Sequence, residues 1–552
     1  MKNNKYIITA ALPYTNGDIH IGHLSGVFLP ADIYNRYLKL NKYKSIFISG
    51  SDEHGVNILI KSINENTSPV NIINKYHYMI KKNLKIFKIS LNNYFRTSNK
   101  IHKKYSLKVF YKLYNKKFFI EKATYQYYDK LYNLFLADRF VIGICPICNY
   151  KEAYSDICEK CGNVLKIGDL KNPISILTGK KPVLKKTINL FLLFKKKYII
   201  YLYNKYKKLK YNNKILKYIY NFIKIDINKR SITRDIKWGI FIKKIKKFNN
   251  KVIYVWFEAI LGYISSTIDL SYKRKKNYIK YWKNKNTKLI NFIGKDNIVF
   301  HTLFYPIIIK NYNKKYIIPN YINVNEFLKI NGKKISTSKN KAIFISKFIK
   351  YLPNYIDSLR YTLISEMPIN KDSNFTWDKF KNNNNSILIG IFGNYFNRII
   401  VLLHKKFNGY IPNNIILTKY DKYILNKVNK FINKINKYIL KYNFRMAINE
   451  FINISRIGNK YLSITTPWKE KNNENIKRSL YVSLEILKNI TKISYLFLPY
   501  TYKKILKILN INKNNFINNN IIFPLNHKIN KPKIIFKYIT SNKLKKIKLI
   551  FE

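Results

Sequence analysis

Two apolar runs near the N-terminus constrain what this chain can fold into. Tyr6 to Leu12 reads as a buried strand, followed by the turn-forming PYTNGD and by a helical pattern from about Ile19. Ser45 to Ser51 repeats the order, running into DEHG and a second helical pattern. Strand, loop, helix, strand, loop, helix specifies a parallel α/β sheet. Such sheets bind ligands at the carboxyl ends of their strands, where both loops would lie. Pro30 is expected to kink or restart the first helix.

From about residue 116 the pattern breaks into short pieces around a cysteine group, then returns to apolar strands at Lys251 to Ile260 and Lys288 to Asn297. One α/β domain carrying an insertion explains this better than two unrelated domains. Beyond residue 380 the chain reads as all-helical. Apolar residues at 388, 391, 392, 395, 396, 399 and 400 mark one helix face. From about 505 the Lys- and Asn-rich sequence reads as loop, and there is no internal repeat.

All four cysteines fall in Cys145-Pro-Ile-Cys148 and Cys158-Glu-Lys-Cys161. Each pair puts two thiolates within reach of one ion, and two pairs complete a closed tetrahedral zinc site. The competing reading is four free thiols. The net charge of +76, from 104 basic and 28 acidic residues, suggests a polyanionic partner. Lys, Asn, Ile, Tyr and Phe are abundant in every segment, so coding bias spread over a solvated surface accounts for much of that charge. No run of about 18 uncharged apolar residues occurs, so no transmembrane helix is expected. The short apolar start, broken by Pro13, does not read as a secretory signal. A cytosolic (cytoplasmic) or organelle-matrix setting follows.

His20 and His23 lie one turn apart at a helix start, where unpaired amides favour an anion. Imidazoles there can donate to phosphate oxygens, and a metal pair or an incidental placement are the alternatives. His54 and His301 are expected to converge on the same place. Asp52, at the end of the second strand, suits an ammonium group, or else caps a helix.

ALPYTNGDIHIGH, FISGSDEHG, YVWFEAILGY, FIGKDNIVFHTLFYP and NGKKISTSKN occur in the order and spacing of the methionyl-tRNA synthetases, which this chain resembles over about residues 5 to 470. The resemblance implies a Rossmann-like class I catalytic domain with a zinc-knuckle insertion, followed by an all-α anticodon-binding bundle. The implied boundaries are 1–115 and 229–325 for the catalytic halves and 116–228 for the insertion. Residues 326–380 would form the linking region and 381–552 the helical domain. The implied activity is ATP-dependent formation of methionyl-adenylate and transfer of methionyl to tRNA(Met). His20, His23, Gly294, Lys295, Asp296, Lys334 and Ser336 would bind ATP with Mg2+, and His20, His23 and Lys334 would be catalytic. Ala11, Leu12, Tyr14, Asp52, Trp256, Ala259, Tyr263 and His301 would hold methionine, whose sulfur gains about 0.3–1.5 kcal/mol per aromatic contact. Asn394, Arg398 and Trp468 would read the anticodon, and Cys145, Cys148, Cys158 and Cys161 would bind one Zn2+.

Two positions depart from the family. Ile260 stands where proline is common, and the loop Lys334 to Ser338 reads KISTS where the family has KMSKS. Thr337 cannot supply the charge of the second lysine, so Lys333 or Lys339 is expected to take over part of its role and leave a slower enzyme. The insertion, about 110 residues and mostly zinc module, is too short for the editing domains of isoleucyl, valyl and leucyl enzymes, which exist because one methylene discriminates by only ~1–3 kcal/mol. A cysteinyl enzyme would need thiols the knuckle already uses. A catalytically weakened tRNA-binding protein is the remaining alternative, and retention of the active-site set argues against it. With no further C-terminal module in the sequence, a monomer is expected.

Overall fold

The computed structural model describes residues 4–551, apart from 137–139, 156–157, 159, 162–164, 166, 194, 210, 212, 225–230, 336–341, 414 and 512–522. Its centre is a parallel sheet of β1 (Lys5–Ala10), β2 (Lys44–Ser51), β3 (Asn93–Arg96), β4 (Thr287–Gly294) and β5 (Tyr321–Asn325), in the order β5-β4-β1-β2-β3. Alternate residues of each strand face opposite layers. Tyr6, Ile8 and Ala10 of β1, Phe47 of β2, and Ile290 and Phe292 of β4 enter one core. Ile7, Ile46, Ile48, Leu289 and Ile293 enter the other. Burial on both faces is why these strands read as continuous apolar runs. The chain order reverses beside β1, between its neighbours β2 and β4, which opens a crevice at their carboxyl ends.

The helix after β1 runs from Ile21 through a π-turn at Leu24–Phe28 into Leu29–Leu40. Pro30 does not end it. Proline has no N–H for the carbonyl four residues earlier and crowds it sterically, and the π-turn relieves that crowding. The Gly26 carbonyl instead accepts a 2.7 Å hydrogen bond from Nδ2 of Asn325, the last residue of β5.

One apolar run is not the strand expected at Lys251 to Ile260. Only Val252–Ile253 is extended; Val255–Glu258, Ala259–Leu261 and Gly262–Lys273 are helical. The region from 505 is also more ordered than its composition suggested. Ser541–Phe551 is a helix whose Phe551 ring lies 4.9 Å from Trp377, while Lys548 pairs with Asp378 at 2.7 Å.

The insertion is a long antiparallel ribbon of Phe119–Asp129 against Val183–Leu192, with short strands Val141–Ile144, Ala153–Tyr154 and Lys171–Ser175 carrying the cysteines. It is less dominated by the cysteine module than expected. Lys196–Lys208 and Asn213–Lys224 are helices that pack back on the sheet, with Tyr206 donating to the Thr302 carbonyl at 3.0 Å.

Beyond Trp377 the regular elements among the described residues are helices, and Leu388, Phe392, Tyr395, Phe396, Ile399 and Ile400 form the buried face read from the sequence. The helical stretch Trp377–Phe407 is, by length and composition, long and apolar enough to cross a membrane, contrary to the sequence expectation. That buried face belongs to the main core.

A fully buried ionic cluster joins the sheet to the helices. Asp32 Oδ2 accepts from Arg36 Nε at 2.9 Å and Arg360 Nη2 at 2.8 Å, and Oδ1 accepts from the Ser90 amide at 2.7 Å. Arg360 also donates to the Phe87 and Phe497 carbonyls, both at 2.8 Å, and Arg36 to those of Tyr495 and Lys88. Burial pushes the Asp32 carboxyl up, but the two guanidiniums outweigh it and hold the group below its ordinary range. Asp32→Asn removes the carboxylate that both guanidiniums share, leaving Arg36 without its paired carboxylate and Arg360 with only the charge of nearby Asp357, which costs about 3–5 kcal/mol. The expected readout is a markedly lower urea midpoint, and an unchanged midpoint would show that the cluster is not what joins these elements.

Candidate active site

A cavity of about 450 Å3 opens at the carboxyl ends of β1, β2, β4 and β5. It is lined by Ala11, Leu12, Tyr14, His20, His23, Asp52, Trp256, Ala259, Tyr263, Gly294, Asp296, His301 and Lys334, so residues far apart in sequence meet in one place. Ile260, at the position that departs from the family, is buried and lines the same wall.

His20 caps the helix start. Its Nδ1 accepts the Gly22 amide at 3.1 Å, and Nδ1 of His23 accepts the His20 amide at 3.2 Å. With both Nδ1 atoms accepting, each neutral ring carries its proton on Nε2. Burial holds His23 down to about 4, and burial followed by the neighbouring His23 holds His20 well below its ordinary value. The pair therefore offers two uncharged N–H donors at neutral pH, with ring centroids 4.0 Å apart.

Asp52 is fixed by its backbone. Its amide donates to Pro13 at 2.9 Å, and its carbonyl accepts from the Thr15 amide at 3.0 Å and the Thr15 hydroxyl at 2.8 Å. Its Oδ1 is buried without a hydrogen-bond partner. Burial, then the Glu258 and Glu53 charges, push the carboxyl well above its ordinary value against a bond from the His54 amide. The helix-cap alternative is not realised, because Val56–Asn64 starts at Gly55 without a side-chain cap. Gly55 has φ +102°, and a Cβ there would lie 2.2 Å from the Tyr14 hydroxyl, which donates to the His54 carbonyl.

Opposite Asp52, the Tyr263 hydroxyl donates to His301 Nε2 at 2.8 Å, while His301 Nδ1–H donates to the Asn297 carbonyl at 3.0 Å. Both imidazole nitrogens are thus used, and burial holds His301 down to about 4. Trp256 stands between Tyr254 and Phe300, each 5.0 Å away by ring centroid. This wall beside Asp52 is aromatic, and the cavity's other ionisable carboxylate and ammonium groups are those of Asp296, Glu326 and Lys334.

Other expected residues stand elsewhere. His54 does not line the cavity; it lies behind it, with Nδ1 2.8 Å from Glu258 Oε1. Glu258 also meets His102 Nε2, whose Nδ1 lies 2.9 Å from the Ser265 hydroxyl. Burial pushes Glu258 up, but the flanking His54 and His102 bring it to about 2. Sequence reasoning missed this support, although a glutamate inside the apolar YVWFEAI was a visible signal. Lys295 is outside the cavity lining and binds Glu326 at 2.9 Å and Asp372 at 3.2 Å. Lys333 and Lys334 are exposed on a strand paired with Leu328–Ile330 through a tight turn at Asn331 and Gly332, both at positive φ. Ser336, Thr337 and Lys339 lie outside the described residues. On the far side of that loop, Ile21 donates to Ile343 at 3.1 Å and Ile345 donates to Ile19 at 2.9 Å. This backbone pairing ties the His20 turn to the chain where it resumes.

The four cysteine sulfurs all lie within 4.8 Å of one another, with Cys145 to Cys161 at 3.9 Å and Cys148 to Cys158 at 3.6 Å. A tetrahedral ion with metal–sulfur bonds of about 2.3 Å requires sulfurs about 3.8 Å apart, so the group could hold a metal. In the helical part, the Arg398 guanidinium lies 5.6 Å over the Trp468 ring beside a cavity of about 410 Å3. Trp468 is 41% exposed, and Asn394 contacts Asn459 at 3.5 Å one turn from Arg398.

Residues 6–400 match the family described as tRNA synthetases class I (M), and residues 421–550 match the anticodon-binding domain of tRNA ligase. The methionine–tRNA ligase of Flavobacterium johnsoniae is 44% identical over 515 residues, covering 92% of this chain and 72% of that protein. The Bacteroides fragilis methionine–tRNA ligase is 40% identical over 542 residues, covering 96% and 78% respectively. Mycobacterium tuberculosis methionyl-tRNA synthetase in complex with methionyl-adenylate shares the fold, with a TM-score of 0.78 at 19% identity over 97% of this chain and 100% of that one.

The depressed histidines set a pH dependence. His23 and His301 take a proton near 6.5 when unfolded but only near about 4 when folded, so the stability they contribute is complete above 6.5 and is lost as pH falls toward 4. The urea midpoint is expected to fall over that range, and His23→Gln, which cannot be protonated there, should fall less. Equal slopes would show that His23 is not held neutral.

Proposed function

The chain belongs to the methionine–tRNA ligase family of class I tRNA synthetases, and from that premise we propose how its own residues carry the reaction. The protein activates methionine with ATP to methionyl-adenylate and transfers the methionyl group to the 3′ end of tRNA, releasing pyrophosphate and AMP. The observation that carries the residue assignments is the meeting, in one cavity, of two neutral N–H donors, an unpartnered carboxylate oxygen and an aromatic wall.

In this proposal Asp52 Oδ1 accepts the methionine ammonium, whose charge replaces the proton that burial favours on the empty site. The thioether lies among Tyr14, Trp256, Tyr263 and His301, with Ala11, Leu12, Ala259 and Ile260 filling the remaining wall. His301 offers that sulfur only a ring, because both of its nitrogens are already bonded. A methionine carboxylate oxygen attacks the α-phosphorus, a new O–P bond forms, and the bond to pyrophosphate breaks with both electrons leaving on pyrophosphate. His20 and His23 donate through Nε2 to phosphate oxygens as that charge develops, without adding charge that would trap ATP in its ground state. Gly294 and Asp296 hold the adenosine. Lys334 meets the departing pyrophosphate. Mg2+, when bound with ATP, would neutralise phosphate charge. Lys295 acts at one remove, tying Glu326, which lines the cavity, to Asp372.

Arg398, Trp468 and Asn394 support anticodon reading, since a stacked guanidinium over a half-exposed indole suits splayed single-stranded bases. The helical domain from about 381, the catalytic halves divided by the insertion from about 116 to 228, and tRNA(Met) as the cognate partner belong to the same proposal. Zinc is the metal proposed for the cysteines, because four thiolates at tetrahedral spacing suit it and leave no open position for chemistry.

Methionine-dependent ATP–pyrophosphate exchange is the expected activity. Asp52→Asn should raise the methionine KM roughly 10- to 100-fold, the worth of a charge-assisted hydrogen bond, with little effect on the ATP KM. An unchanged methionine KM would remove Asp52 from the ammonium site. Purified protein should contain one zinc per chain by elemental analysis. Stripping it with a chelator should lower the thermal midpoint while leaving adenylate formation measurable, and equal stability with and without metal would refute a structural role.

A further inference from the structure

The turn that carries His20 and His23 is held by more than its own helix. Asp18, two residues before His20, does not line the cavity. Its Oδ2 accepts the Ser346 amide at 2.8 Å, and its Oδ1 accepts Nδ2 of Asn83 at 2.8 Å. Ser346 lies 328 residues away in sequence, in the first turn of the helix Ile345–Tyr351. Asn83 is buried in the helix Pro69–Ile86. One carboxylate thus joins the His20 turn to two separate helices.

The helix Ile345–Tyr351 needs such a partner. The first amides of a helix have no intrahelical acceptor, and the residue at the cap position is Phe344, whose ring cannot accept a hydrogen bond from them. Ser68, Asn99, Thr376, Thr418 and Asn472 cap their own helices with their own side chains. Here the cap is imported, and its negative charge suits the positive end of the helix dipole. The bonds from Ile21 to Ile343 and from Ile345 to Ile19 run alongside, with His20 opposite Phe344 in an antiparallel bridge. On the other flank Ile335 closes on the turn at Gly22, where a Cβ would lie 3.3 Å from Ile335 Cδ1 and 2.9 Å from the His20 ring. Asp18 is the polar side of this clamp and Ile335 the apolar side.

We propose that Asp18 is a positioning residue for methionine activation: by capping the Ile345–Tyr351 helix from the His20 turn, it fixes where Nε2 of His20 and of His23 stand as charge develops on the phosphates. This rests on the reading that those imidazoles meet ATP. Asp18 touches no substrate and acts through the turn. The turn's own bonds, from the Gly22 and His20 amides, set its shape. Asp18 sets its place against the neighbouring helices. Placement matters because pre-aimed donors act only at the position where charge appears, and a displacement of about 1 Å can cost on the order of 100-fold in rate.

The test separates placement from folding. Asp18→Ala should lower kcat for methionine-dependent pyrophosphate exchange roughly 10- to 100-fold, while the methionine KM, and the methionine Kd measured without ATP, stay within about twofold. Asp18→Asn keeps a carbonyl oxygen for the Ser346 amide and should recover most of kcat. In the absence of substrates, hydrogen exchange at the Ile21 and Ile345 amides should quicken together in Asp18→Ala and stay slow in Asp18→Asn. An unchanged kcat in Asp18→Ala, or kcat and methionine affinity falling by the same factor, overturns the assignment. If Asp18→Ala does not fold, Asn83→Ala removes one of the two partners, and an unchanged kcat in that variant overturns it instead. Absence of exchange activity in the unmodified protein overturns the activation reading. Unchanged amide protection in Asp18→Ala overturns the clamp alone, so the two failures are distinct.

Discussion

One buried carboxylate organises the contact between the sheet layer and the helical layer. Asp32 sits mid-helix, fully buried, and holds Arg36 and Arg360 at the same oxygen. Those guanidiniums spend their remaining donors on carbonyls at helix ends: Phe87, which follows Pro69–Ile86, and Phe497, which closes Asn473–Phe497. The last carbonyls of a helix lack intrahelical partners and carry partial negative charge, so cations buried there answer both needs. The same helix begins at the His20 turn. The ionic cluster therefore sets where His20 and His23 stand relative to the helical domain.

The second layer of support is local and lies behind the pocket. Glu258, held between His54 and His102, packs beneath the segment that presents Trp256 and Ala259. Glu53, bonded by Arg96 at 2.9 Å and by the Ser51 hydroxyl at 2.6 Å, fixes the residue next to Asp52. Asp52 thus projects from a loop whose neighbouring carboxylates are fully engaged, while its own Oδ1 is not. That contrast makes it the acceptor available to a cationic ligand.

The sheet and its loops were legible because parallel strands buried on both faces leave unbroken apolar runs, and because Tyr6 to Leu12 and Ser45 to Ser51 end in glycine-bearing turns. Residues 251–260 misled for the same reason, since a fully buried helix leaves the same unbroken run. The 541–551 helix was hidden by a Lys- and Asn-rich composition, although Leu544, Ile547 and Phe551 keep helical spacing on its packed side. Loop position alone groups His54 with the cavity histidines. Its partner Glu258 lies 204 residues away, and no local pattern encodes a contact of that span. What sequence could supply was residue type at strand ends; what it could not supply was which polar groups consume one another.

The pairing of Asn325 with Gly26 has a consequence for how helix and sheet are aligned. A helix interior is normally chemically closed, each carbonyl taken by its own turn, so a neighbouring strand has nothing to grip. By withholding one N–H, Pro30 frees the Gly26 carbonyl at a fixed height along the helix, and the end of β5 docks there. The proline thus acts as an index mark, a defect that gives an otherwise uniform rod a defined position against its partner. Sliding the helix by even one residue would leave both the open carbonyl and the Asn325 amide without each other, so a local irregularity becomes the reference from which the cavity floor is measured.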